Sequence, residues 1–306
     1  MEVRSLQELT AAPLGVPTAV ALGFFDGIHL GHRALLEATC REAAARGLSP
    51  AVVTFYDEGF SPKAGAPRLT DLSQRLDAFR AAGVAYVLLL PFSEVKDLSC
   101  DAFVADVLVR LCGARLALCG FNFRFGAGAC GTHETLARLM RAAGGDGIAL
   151  PPQTLPDGTL ISSSAVREAL LAGDVATAAA LLGRPYSLTL PVVHGQALGR
   201  TLGLPTANQL PGEGLALPAR GVYHTTAICD GGTYGAVTNV GVRPTVGGTE
   251  LVCESHLLDF SGDLYGSPLT LLFHRRLRGE TAFATLDELK STIESDIREE
   301  KNNHVR

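Results

Sequence analysis

The first half of the chain alternates short apolar runs with helically spaced segments. Residues 18–22 (TAVAL), 51–55 (AVVTF), 86–90 (YVLLL) and 116–120 (LALCG) are continuous apolar runs of strand length. After the first run, Leu35, Leu36, Thr39 and Cys40 repeat at helical spacing until Gly47 ends the pattern. Residues 71–82 and 100–111 carry similar patterns. The latter has Phe103, Val107, Leu108 and Leu111 as its apolar stripe, with Ser99 or Asp101 in the cap position. This alternation predicts an α/β fold, a parallel sheet with helices on both faces, whose ligands bind outside the carboxyl ends of the strands.

The second half changes character. A helical run over residues 161–186 is followed by short β-like stretches: SLTLPVVHG, GVYHTTAIC, TYGAVTNVG, LVCESHLLDF and LTLLFHRRL. Glycine and proline clusters separate them, which predicts an antiparallel sheet or small barrel. The end reads as an amphipathic helix with Leu286, Leu289, Ile293 and Ile297 on one face. There is no internal repeat and no low-complexity block.

The 306 residues allow one large or two ordinary domains, and 47% hydrophobic content fills their cores. A net charge of −5 argues against a broad nucleic-acid footprint, so phosphate ligands must be held by local groups. The seven cysteines form no CxxC and no metal spacing, as expected for reduced, buried thiols of a cytoplasmic protein. From the polar start, MEVRSLQEL, no signal peptide is expected, and no apolar run is long enough to span a membrane.

Candidate chemistry falls at the joints of this pattern. GFFDGIHLGH, residues 23–32, links the first strand to the first helix and places His29 and His32 on the turn. A helix N-terminus offers free N–H groups to phosphate, Gly31 lets phosphate approach the backbone, and imidazoles can donate to charge on phosphoryl oxygens. Two solvated histidines are the plainer alternative, and the FDG context between strand and helix argues against it. A glycine-rich stretch over residues 120–136 follows another strand, with Asn122 and Arg124 alternating with phenylalanines. In ISSSAVR, Ser163 or Ser164 can cap a helix, and Arg167 lies in its first turn. Together they could receive the outer phosphates of a nucleotide, although ordinary capping explains the segment by itself. In GQALGRTLGLPTAN, Gly199 and Arg200 belong to a loop able to fold over phosphates, and Thr206 and Asn208 offer two oxygens for Mg²⁺ on one side of an extended segment. Glu254 stands among Val252, Leu257 and Leu258; the residues alone favour a paired core carboxylate over a general base.

GxFDGxHxGH resembles the signature of the HxGH nucleotidyltransferases, and its FDG form is similar to the bacterial FAD synthetases, which join an FMN adenylyltransferase to a riboflavin kinase. GFNFRFG, ISSSAVR, the stretch ending in LGRPY, the PTAN loop, NVGVRPT and ESHLLDF-x-x-DLYG resemble further motifs of that family in the same order. The resemblance covers nearly the whole chain. It implies an N-terminal Rossmann-like nucleotidyltransferase domain over residues 1–183 and a flavokinase-like β-barrel domain over 184–306. It implies that riboflavin and ATP give FMN, and FMN and ATP give FAD and pyrophosphate, with Mg²⁺. By resemblance His29 and His32 stabilise the transferring phosphates, and Gly23, Phe25, Asp26 and Gly31 belong to the nucleotide turn. Ser163, Ser164 and Arg167 face the triphosphate, Asn122 and Arg124 help bind flavin, and Glu254 is the catalytic base of the kinase. One departure stands out. After AVVTF the family usually continues with a D-P-H-P-like turn, whereas this chain has YDEGFSP, with Glu58 and Gly59 and no histidine, so slower or altered adenylyl transfer is expected. A kinase with a decayed first half is a second reading, and a flavin-sensing or RNA-binding module a third. The sequence expects small-molecule partners, no nucleic acid and no membrane, and leaves the oligomeric state open.

Overall fold

The four apolar runs become neighbouring strands because each can be covered on both faces. A computed structural model describes residues 1–56, 65–195, 204–212, 214–245 and 248–281, with 288, 291, 292 and 295. In order, its first part contains β1 (Glu2–Ser5), α1 (Leu6–Ala11), β2 (Thr18–Leu22), α2 (Leu30–Arg46), β3 (Ser49–Tyr56), α3 (Leu72–Ala81), β4 (Tyr86–Pro91) and α4 (Phe92–Val95). Then come α5 (Cys100–Ala102), which runs on as a π-helix over Phe103–Leu111, β5 (Ala114–Gly120), α6 (His133–Ala142) and β6 (Asp146–Leu150). The strands pair in parallel in the order β1-β4-β3-β2-β5-β6.

Successive strand residues face opposite sides, so each apolar run feeds two cores. Val20, Leu22, Val53, Leu88 and Ala117 pack with Val104, Leu108, Leu136 and Met140 on one face. Ala19, Ala21, Val52, Val87 and Leu118 pack with Leu35, Leu36 and Phe79 on the other. Local signals set the helix ends. Asp71 and Gln74 form a capping box at α3, Ser99 rather than Asp101 caps α5, and Gly47 closes α2 at φ 65°.

Three local expectations need correcting. The glycine-rich stretch ends as a loop at Thr132, which caps α6, so residues 133–136 are helical. Residues 161–186 form two helices, α7 (Ser163–Ala172) and α8 (Val175–Leu182). Gly173, at φ 77°, breaks the run, and the Asp174 side chain caps α8 by accepting from the Thr177 N–H at 2.9 Å. Finally, α7 begins at Ser163, so its cap position is Ser162 rather than Ser163 or Ser164.

The chain forms two compact units, Met1–Ser163 and Ser164–Arg306. The second contains β7 (Tyr186–Pro191), β8 (Ala207–Gln209), β9 (Gly221–Cys229), β10 (Gly232–Thr245), β11 (Gly248–Leu257) and β12 (Pro268–Arg278), in the antiparallel order β7-β12-β9-β10-β11-β8. Just beyond β7, the Val193 N–H donates to the Asn208 carbonyl at 2.8 Å. That bridge brings the two edge strands together and curls the sheet into a small barrel. Tyr186, Tyr223 and Phe273 fill it, and hydroxyls of Thr225, Thr238 and Ser255 form a buried chain at 2.7 and 2.8 Å. The Ala219 N–H donates to the Leu170 carbonyl, and α8 packs on β7 and β12. Both helices therefore go with the barrel in compactness, whereas the family resemblance implies a boundary after residue 183. Leu286, Leu289, Ile293 and Ile297 of the expected terminal helix lie outside the described residues. Among the described residues no helix is long and apolar enough to cross a membrane.

Candidate active sites

In the first unit the strand order reverses between β2 and β5, and a crevice opens beyond the carboxyl ends of strands at such a point. The GFFDGIHLGH turn leaves β2 there, and the Asn122–Arg124 loop leaves β5 there. The turn is tight: Phe25 (φ 57°), Gly27 (φ 87°) and Ile28 (φ 45°) all have left-handed backbone. Two residues hold it. The Phe25 ring is fully buried against Phe79 and His32. The Asp26 carboxylate accepts from the N–H groups of Leu69 (2.9 Å) and Thr70 (3.1 Å) and from the Thr70 hydroxyl (3.3 Å). Both side chains thus hold the turn in its shape, and the Gly27 N–H donates to the Thr70 hydroxyl at 3.0 Å. Ser163 joins the same scaffold by donating its hydroxyl to the Asp26 carbonyl at 2.8 Å.

His29 is the N-cap of α2. Its Nδ1 accepts from the His32 N–H at 3.2 Å, which places its own proton on Nε2. The His32 ring stacks on it with centroids 3.7 Å apart. Burial lowers His29 to about 4, and burial together with His29 drives His32 well below its ordinary value, so both rings are neutral near pH 7. His32 Nδ1 is buried without a partner, a polar atom left for a ligand to satisfy. Gly31 makes room for the His29 ring, because a Cβ there would lie 3.2 Å from His29 Cε1 and Nδ1. Gly23 similarly sits under Phe25, where a Cβ would lie 3.3 Å from that ring.

On the facing loop, Phe123 and Phe125 stack inward while Asn122 and Arg124 stay exposed. Arg75 is a residue that periodicity concealed inside the α3 pattern. Its guanidinium donates to the carbonyls of Phe24 (2.9 Å) and Phe55 (3.2 Å), tying the ends of β2 and β3. Ser164 and Arg167 lie in α7 of the second unit, where Arg167 is buried at 7% exposure. Glu58 and Gly59, the departure after β3, lie outside the described residues.

In the barrel, Asn208, Glu254 and Asn239 stand at one register on adjacent strands β8, β11 and β10. Asn208 is buried, and a Cβ at Gly195 would fall 2.5 Å from its Nδ2, so glycine is needed where that backbone passes. Thr206 lies two residues before it, just ahead of β8, and the Asn208 Nδ2 donates to its carbonyl at 3.5 Å. Burial raises Glu254 above the ordinary carboxylate value, and Arg243 partly offsets this. Arg243 is itself held on Glu250 at 2.8 Å. His256 donates from Nδ1 to the Pro205 carbonyl at 2.9 Å and fixes the start of the PTAN segment, a role no sequence pattern announced. Gly199 and Arg200 lie outside the described residues.

Comparison with known proteins matches each half of the chain to a family. A family model described as FAD synthetase matches residues 14–165, and one described as riboflavin kinase matches 182–304. The bifunctional riboflavin kinase/FMN adenylyltransferase of Escherichia coli (strain K12) is 38% identical over 299 residues, 96% of this chain and 95% of that protein. Its namesakes are 39% identical in Pseudomonas fluorescens (96% and 95% covered) and 32% identical in Bacillus subtilis (92% and 91%). A crystal structure from Streptococcus pneumoniae, described as a macrolide-efflux protein, matches with TM-score 0.88 at 30% identity, over 98% of this chain and 99% of that one.

Proposed function

We infer residue roles from one premise: the chain belongs to the bifunctional riboflavin kinase/FMN adenylyltransferase family. It phosphorylates riboflavin with ATP to FMN, and adenylylates FMN with ATP to FAD and pyrophosphate. The macrolide-efflux description stays with the pneumococcal chain, since both family models and the curated relatives give this sequence two flavin-cofactor activities. A decayed first half is not favoured.

For adenylyl transfer, the FMN phosphate attacks the α-phosphorus of ATP and pyrophosphate leaves. The acceptor carries its own nucleophile, so no covalent enzyme intermediate is needed. His29 donates from Nε2 to a phosphoryl oxygen as a neutral ring, oriented by its cap bond. His32, stacked beside it, supplies the second donor, and the turn and the head of α2 add backbone N–H groups. Ser164 and Arg167 keep the role the motif assigns them, receiving the departing pyrophosphate. Asn122 and Arg124 bind FMN. In the kinase, Glu254 takes the proton of the terminal ribityl hydroxyl as that oxygen attacks the γ-phosphorus. Thr206 and Asn208 would hold Mg²⁺, whose hard-oxygen preference suits this donor set. Mg²⁺ when bound neutralises charge on the nucleotide phosphates. Seven free thiols support a reducing, cytoplasmic setting.

The observation that carries the first assignment is the tautomer-locked, neutral His29 stacked on His32 at the head of α2. Incubation with riboflavin, ATP and Mg²⁺ and chromatography of the flavins tests it. His32→Ala should lose about a hundredfold or more in FAD formation and keep FMN formation. Glu254→Gln should do the reverse with FMN supplied. Equal loss of both activities in either variant would refute the separation of sites.

A further inference from the structure

Cys100 and Cys130 bring their sulfurs to 3.5 Å, one at the head of α5 and the other at the end of the loop that carries Asn122 and Arg124. The surroundings are built around this approach. The loop is tied to the segment before Cys100 by the Ala127 N–H, which donates to the Leu98 carbonyl at 2.7 Å. It closes on itself where Phe125 and Gly131 exchange backbone bonds of 3.2 and 2.9 Å. Where it passes Cys100 it is glycine: a Cβ at Gly126 would lie 2.5 Å from Cys100 Sγ, and one at Gly131 2.6 Å. Side chains at those positions would displace the sulfur. Three of the other thiols differ. Cys112, Cys119 and Cys253 are buried, and desolvation pushes each up to about 12.

We propose that Cys100 and Cys130 are a reversible disulfide site through which small-molecule disulfides slow FAD formation and leave FMN formation unchanged. The slowing rests on the reading of the Asn122–Arg124 loop as part of the FMN site. The exposed Cys130 reacts first; burial and the neighbouring sulfur hold the Cys100 thiol above its ordinary value. The Cys130 thiolate attacks one sulfur of the small disulfide RSSR, whose other half leaves as a thiolate. The Cys100 thiolate then attacks the Cys130 sulfur of the mixed disulfide and expels the second. One S–S bond breaks and one forms, two electrons pass from protein to RSSR, and both released thiolates take up the protons the cysteines lost. The sulfurs close from 3.5 Å to about 2 Å. The loop must follow, and its polar side chains leave the geometry set by the reduced contact.

Full-length protein is incubated with oxidised glutathione and digested with trypsin without reduction. Tryptic peptides 97–110 and 125–138 should appear joined, because they contain the two cysteines. FAD formation from FMN should fall at least about tenfold, since a misplacement of about 1 Å can cost a hundredfold. FMN formation should hold, and dithiothreitol should restore FAD formation. Cys130→Ser should be insensitive, with its undiminished FAD formation in the reduced state reporting that the first unit is folded. A glutathione adduct on Cys130 without the cross-link overturns the site, as does a cross-link between other cysteines. A cross-link that leaves FAD formation unchanged overturns the switch. Reduced Asn122→Ala and Arg124→Ala proteins separate the two ideas. If they raise KM for FMN while cross-linking has no effect, the loop reading stands and the switch fails. If neither changes KM for FMN, the loop reading fails and the switch falls with it.

Discussion

His29 spends Nδ1 on capping its own helix, which leaves Nε2–H as its donor. That ring is neutral because burial makes charge costly, and neutrality links folding to pH. An unfolded histidine takes up its proton near 6.5, His29 in the fold only near 4. Between these values the unfolded chain binds more protons, so the stability is complete above about pH 6.5 and is lost as pH falls toward 4. His29→Gln should therefore flatten the fall of the first thermal transition between pH 7 and 5, by up to about 1.4 kcal/mol per pH unit. Parallel calorimetric profiles for the two proteins would count against a buried neutral His29. Glu254 shows the opposite perturbation, since burial raises it and Arg243 restrains the rise. As a base it fails when protonated, so kinase activity should drop on acidification at a pH above the ordinary carboxylate range. Arg243→Met removes the restraining charge and should move that acid limb to higher pH. An unmoved or lowered limb in the pH–rate profile would argue that Glu254 is not the base.

The turn before α2 is an element under strain. Phe25 and Ile28 are non-glycine residues in left-handed backbone, each costing on the order of 1–3 kcal/mol. The Asp26 carboxylate and the Ser163 hydroxyl hold it in place. Asp26→Ala strands the Leu69 and Thr70 amides, and should destabilise the first unit by about 3 kcal/mol. FAD formation should fall while FMN formation persists, and the Thr70 amide should exchange faster with solvent. Asp26→Asn keeps an acceptor and should lie between. A fully active Asp26→Ala protein would show that the strain is held elsewhere. Arg75 works at the same scale, clamping the ends of β2 and β3 where the turn begins.

At the scale of the molecule, strand order decides where chemistry collects. Only because β2 and β5 are neighbours do a turn near residue 29 and a loop near residue 122 share one sheet edge. The division into units makes a prediction of its own. Val175, Ala178, Leu181 and Leu182 are buried, and α8 packs on β7 and β12. A fragment from residue 164 to the C-terminus should phosphorylate riboflavin and unfold cooperatively. One starting at residue 184 exposes the apolar floor under α8 and should be less stable by several kcal/mol, at about 25 cal/mol for each Å² uncovered. Equal melting temperatures for the two fragments would place α7 and α8 with the first unit instead.

By itself the sequence determined the parts whose signals are local. Apolar runs of strand length marked β2 to β5, Asp71, Ser99 and Gly47 set helix ends, and the HxGH turn stood out by residue type and spacing, whereas PTAN and the base role of Glu254 came from the family resemblance. The amphipathic α6 was hidden inside a glycine-rich stretch, and β1 and β6 are short edge strands with little periodicity to detect. Glycine and aspartate at 173 and 174 were a break that the apolar residues on either side concealed. What the tertiary structure alone decided depends on contacts between residues far apart in the chain. Those contacts made Asp26 a latch on Leu69 and Thr70, gave Arg75 and His256 their backbone carbonyls, and closed the barrel through Val193 and Asn208. They also buried His29 and the Nδ1 of His32, and desolvation in a medium that solvates charge poorly is what keeps those rings neutral.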